Sequence, residues 1–84
     1  MKAPRIQAPR STLEAMALDF LRAYPKCQEA DSVAVLRVTS GLENGANWTL
    51  HSYNSGRAIR SHCDEALKLI VPIMQNHFDL APDA

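Results

Sequence analysis

Between residues 13 and 24 the apolar positions recur on one side of a helix: Leu13, Met16, Ala17, Phe20, Leu21 and Tyr24. This is the i, i+3, i+4, i+7 rhythm of an amphipathic helix. Glu14, Asp19 and Arg22 fall on the opposite face. Ser11-Thr12-Leu13-Glu14 has the form of a capping box, with the Ser hydroxyl on the Glu14 amide and the Glu carboxylate reaching back. Pro25 stops the pattern near Tyr24, because a residue before proline is pushed out of the helical region. The spacing predicts a first helix over residues 11–24.

The rhythm then changes. SVAVLRVTS, residues 32–40, and NWTLHSYN, residues 47–54, are rich in β-branched and aromatic residues and read as two strands. The connection between them offers two turns. A two-residue turn at Asn44-Gly45 would scatter apolar residues over both faces of the hairpin. A three-residue loop, Glu43-Asn44-Gly45, with Gly45 left-handed in a bulge, pairs Leu42 with Ala46. One face then holds Ala34, Leu36, Val38, Trp48 and Leu50, and the other holds Arg37, Thr39, Thr49, His51 and Tyr53, with Val33 and Val35 at its end. A one-residue slip exchanges the faces, so burial favours the second arrangement.

After Ser55-Gly56 the helical spacing returns. Ile59, Cys63, Ala66, Leu67, Ile70, Met74 and Phe78 make a second buried stripe, widened by Val71 and Ile73. Asn54 or Ser55 can cap this helix, and Asp64 and Lys68 form an acid-before-base pair. Pro72 removes one hydrogen bond, yet the pattern continues past it, which predicts a kink over residues 68–72.

The expected fold is a small α+β domain of αββα order, with one antiparallel β-hairpin packed against two helices over residues 11–80. Residues 1–10 contain APR twice and read as a flexible basic tail of charge +3, and residues 81–84 as a short C-terminal tail. A lone hairpin is marginal in water and leaves both edges open. A homodimer removes the problem by completing one four-stranded sheet across a two-fold axis, or through the apolar surface of residues 67–74.

Composition narrows the function. The 84 residues, 46% hydrophobic and 21% charged, suit one globular domain. Nine basic residues balance nine acidic ones, so there is no global attraction to nucleic acid or anionic membrane and little repulsion between copies. The N-terminal stretch has no apolar core of a secretory signal, and no run spans a membrane. Cys27 and Cys63 lie far apart in sequence and read as free thiols in the cytoplasm. Asn47-Trp48-Thr49 matches a glycosylation sequon that is incidental without secretion.

No catalytic or cofactor fingerprint is present, and no metal motif. His62 and Cys63 are adjacent on a helix and diverge by about 100°, and Cys63 lies within the apolar stripe, where a thiol acts as a small hydrophobe. Two clusters remain as candidate partner or ligand sites. One is the polar sheet face with Arg37, His51 and Tyr53. The other is the corner Ser55, Gly56 and Arg57 with Arg60 one turn on, where a helix N-terminus could meet an anion. The expectation is a non-catalytic protein-interaction or regulatory module with no cofactor, acting as a homodimer. The alternative is nucleic-acid binding through the basic tail and Arg57/Arg60, and behind it a small enzyme using His51 or Cys63.

Overall fold

A computed structural model describes residues 5–39 and 45–82. The described residues form a small α+β domain with two helices and four strands in two two-stranded sheets. In order these are β1 (Ile6–Ala8), α1 (Arg10–Arg22), β2 (Ser32–Arg37), β3 (Trp48–Asn54), α2 (Arg60–His77) and β4 (Phe78–Leu80). β2 and β3 pair antiparallel, and β1 and β4 pair parallel. Trp48, fully buried, lies in a core cluster with Leu13, Ala17 and Leu21 of α1, Val33 and Val35 of β2, and Cys63, Leu67, Ile70 and Met74 of α2.

The hairpin register differs from both sequence expectations. Ser32, Val33 and Ala34 pair with Asn54, Tyr53 and Ser52, whereas Val35, Leu36 and Arg37 pair with Leu50, Thr49 and Trp48. His51 is therefore an extra residue in β3, a bulge in mid-strand. Its effect is to change the phase of β3, so that Trp48, Leu50 and Tyr53 share a face with Val33 and Val35. Burial selects this arrangement because the two β2 valines are bulkier than Ala34, and they are buried while Ala34, Leu36 and Val38 are half-buried. Trp48 and Leu50 face inward as expected, but Tyr53 joins them, and Arg37 lies opposite Trp48 and not His51. Gly45 is left-handed, with φ +75. The remainder of the expected turn, including the Leu42–Ala46 pair, lies outside the described residues.

The chain ends depart from expectation too. From residue 5 the predicted free tail is docked: β1 pairs Ile6 with Phe78 and Ala8 with Leu80, and the Ala81 amide donates to the Ala8 carbonyl. Each strand alternates apolar and polar residues, but three residues are too few to mark a strand in the sequence. β4 is held instead by Asn47, just before β3, and by Trp48 at its start. Asn47 accepts from the Leu80 amide at 2.7 Å and donates to the Leu80 carbonyl at 2.9 Å, so its side-chain amide stands in for a neighbouring strand. The Trp48 indole donates to the Phe78 carbonyl at 3.0 Å. With Asn47 so engaged, the sequon has a structural use for its asparagine.

Helix α1 begins at Arg10 with Pro9 at the N-cap and no side-chain cap, so the expected capping box does not form. Ser11 is already inside the first turn, and the Glu14 carboxylate instead accepts the Val35 amide at 2.9 Å. The Arg10 guanidinium donates to the Val35 carbonyl at 2.8 Å. Both backbone groups of Val35 are thus occupied by α1. Turning Glu14 toward β2 rotates the buried stripe onto Leu13, Ala17 and Leu21, and leaves Phe20 about half exposed. Helix α2 runs unbroken through Pro72 and buries Cys63, Ala66, Leu67, Ile70, Met74 and Gln75. It starts later than expected, so Ile59 stands outside it, exposed, and Ile73 points outward.

Candidate functional site

The seven residues singled out in the sequence do not form one site. His51 is the exposed bulge residue of β3. Arg37 is half-buried and donates to the Ala81 carbonyl at 2.7 Å, holding the chain end. Ser55, Gly56 and Arg57 form a turn before α2, not its first residues. The Gly56 amide donates to Asn54 Oδ1 at 2.8 Å. Gly56 has φ +57, and a Cβ placed there would lie 2.3 Å from the Glu29 carbonyl oxygen. Glycine at this position thus serves the close approach of the 29–31 connection rather than a ligand.

Tyr53 and Arg60 do come together. The guanidinium lies 4.6 Å from the Tyr53 ring centroid, a stacked cation–π contact. The Tyr53 hydroxyl donates to the Asp64 carboxylate and lies 3.1 Å from the Arg60 carbonyl. Partial burial, reinforced by the bond to Asp64 and its negative charge, pushes the Tyr53 hydroxyl up to about 12. Asp64 is the member that sequence reasoning missed. The Arg60/Asp64 spacing of one helical turn was the available signal, but Asp64 was assigned to Lys68, which instead lies 3.5 Å from Glu65. Leu50, Leu67, Val71 and Pro72 continue the surface beside this trio as a shallow groove between β3 and α2.

Other arginines have a common use. Arg5 donates to the Gln75 carbonyl at 2.8 Å, Arg10 to that of Val35 at 2.8 Å and Arg22 to that of Ala30 at 2.8 Å. With Arg37 on Ala81, four guanidinium groups satisfy main-chain oxygens of a helix end, a strand, a turn and the C-terminal segment. Two of these, Arg5 and Arg10, were expected to give a mobile tail its charge.

Cys27 and Cys63 are both completely buried, and the structure brings together two thiols that are far apart in sequence. Burial, together with the adjoining Cys27 side chain, pushes the Cys63 thiol up to about 11, so it is protonated at neutral pH. Such a thiol is a poor nucleophile. Among the described residues no three His, Cys, Asp or Glu side chains gather as metal ligands.

An apolar groove also lies on the outer face of the two helices. Phe20, Ala23 and Tyr24 of α1 and the turn after it, with Ile70, Ile73 and Met74 of α2, line an apolar groove of about 220 Å³. Phe20, Leu69 and Ile73 are 48%, 58% and 59% exposed. The sequence pattern placed Phe20 and Ile73 in the core, because a wide apolar stripe cannot by itself show which edge of it is covered.

No family, curated protein or solved structure matches this chain. Among the described residues no helix is long and apolar enough to cross a membrane.

Proposed function

We propose that this chain is a small non-catalytic interaction module of the cytoplasm that self-associates through the outer face of α1 and α2. The observation that carries the proposal is an apolar groove spanning both helices and lined by exposed Phe20 and Ile73, with exposed Leu69 beside it on α2. Exposed apolar surface of this kind is characteristic of protein–protein contact. An isologous pair would bury this face of each copy against the same face of its mate. Zero net charge removes long-range repulsion between copies.

Pairing across a sheet edge, the other route to a dimer, has less in its favour. At Val35 the backbone groups of β2 are held by Arg10 and Glu14, and at Trp48 the β3 carbonyl accepts from Gln75. Side chains that cap a strand edge protect it against another strand. Nucleic-acid binding also draws less support. Among the described residues, Arg5 and Arg10 are engaged on main-chain carbonyls and Arg60 on Tyr53, which leaves no dense basic surface of the kind phosphate backbones require.

The test is sedimentation equilibrium of the wild-type chain and of a Phe20→Glu/Ile73→Lys variant over a range of concentrations. Both positions are exposed, so the variant keeps its fold, which circular dichroism checks. The expected result is a dimer for the wild type and a monomer for the variant. A wild-type monomer at high micromolar concentration, or a dimer that ignores both substitutions, would overturn the proposal.

A further inference from the structure

We propose that Cys27 and Cys63 are a dithiol site that closes to an intramolecular disulfide when a low-molecular-weight disulfide reaches it. The two residues come from different elements. Cys27 belongs to the run of turns between α1 and β2, and Cys63 to the first turns of α2. Both are fully buried in the same core cluster, with the two thiols within hydrogen-bonding reach of each other. A buried pair with no competing partner thiol in the chain has a high effective concentration for closure.

The surroundings supply a route in. A surface groove is bordered by Tyr24, Lys26, His62 and Leu69, and two of these immediately precede the cysteines. Lys26 has φ +70, a left-handed backbone that a non-glycine residue adopts at a cost. The turn is held by two main-chain bonds, Cys27 amide to Tyr24 carbonyl and Ala30 amide to Cys27 carbonyl, and by Arg22 on the Ala30 carbonyl. Opening of this short segment exposes Cys27 without unfolding the helices. Lys26 and Lys68 against Glu65 leave this groove net positive, which suits an anionic disulfide of the glutathione type.

The chemistry balances as two exchanges. The first cysteine loses its proton, its sulfur attacks the small disulfide, and one small thiolate leaves and takes up that proton. The second cysteine loses its proton and attacks the protein sulfur of the mixed disulfide. The second small thiolate leaves and is protonated in turn. Two S–H bonds are exchanged for one S–S bond in the protein, and the small disulfide is reduced to two thiols. Because both cysteines are buried, the reaction is slow and is gated by opening of the segment.

The experiment incubates the native chain with oxidised glutathione, quenches by alkylation and measures intact mass, followed by proteolytic mapping. The expected product lacks two hydrogen atoms, contains a Cys27–Cys63 linked peptide and returns to the dithiol on reduction. It melts about 10 °C higher, since the bond constrains a long loop of the unfolded chain. Cys27→Ala should abolish closure and leave at most a glutathione adduct on Cys63. Retention of both thiols under excess oxidant, a stable adduct on the wild type, or cross-linking between chains would each overturn the proposal.

Discussion

Replacing Gly56 by alanine separates a packing role for this glycine from a ligand-binding one. Two costs can be worked from the structure. The backbone at φ +57 is left-handed, and an L-residue there loses about 1–2 kcal/mol. The new Cβ would also lie 2.3 Å from the Glu29 carbonyl oxygen, a main-chain atom with no rotamer to yield. The 29–31 connection must therefore move. That shift strains the 2.9 Å bond from the Asp31 amide to the Asn54 carbonyl and disturbs buried Ala30. Overpacking and a weakened hydrogen bond add about 2–3 kcal/mol, for a total of about 3–5 kcal/mol. A domain of this size has about 4–13 kcal/mol of stability in all, so the melting temperature should fall by more than about 10 °C. Gly45→Ala is the control. It has φ +75, but the nearest atom to its Cβ is in the Arg5 guanidinium at 3.6 Å, an ordinary van der Waals distance, so it bears only the backbone cost. Urea titrations followed by Trp48 fluorescence compare the two variants, and the entropic gain of Gly→Ala cancels between them. If Gly56→Ala loses no more stability than Gly45→Ala, the close-approach explanation is wrong.

Asn47→Ala should detach β4 by removing both side-chain bonds to Leu80, at a cost of about 2 kcal/mol, while Asn47→Asp, which can accept but not donate, should fall between; faster amide exchange at Leu80 checks this, and unchanged protection would count against it. Alkaline pH should destabilise the fold. Tyr53 and Cys63 keep their protons up to about 12 and about 11, against ordinary values of 10.0 and 9.0. The unfolded chain thus ionises first, so stability is complete below about pH 9 and declines as pH rises through 11 and toward 12. Urea midpoints that stay level over this window would refute the assignment, and Asp64→Asn should bring the phenolate transition of Tyr53 toward its ordinary position.

Both helices and both hairpin strands were legible in the sequence because each is long enough to show a period. Leu13, Ala17 and Leu21 announce α1, and the β-branched run from Val33 announces β2. The terminal strands are three residues each, and what orders them comes from elsewhere: Asn47, Trp48 and Arg37 reach them across the fold. No local pattern can encode that. The bulge at His51 was illegible for a related reason. Its cause is the demand that Trp48, Leu50 and Tyr53 all reach a core also filled by Val33 and Val35, a property of two strands together. It moves Tyr53 from the outer face to the side of α2, which is why Tyr53 and Arg60 were each singled out on separate grounds but not as partners. Glu14 shows the same limit. Its spacing from Ser11 fits a cap, yet the amide of Val35 binds it instead.

The parallel pairing of β1 with β4 joins segments from nearly opposite ends of the chain. Helix α1 and the hairpin rest on nearer neighbours and can assemble while the β1–β4 contact is still absent. Closing so large a loop is entropically slow, so this pair should form last in folding and open first. The Trp48 indole and the Asn47 side chain bond the strand on which β1 docks. The tryptophan is thus a built-in reporter of the final step. A slow fluorescence phase, lost when β1 is removed, would mark the moment when the two ends of the domain meet.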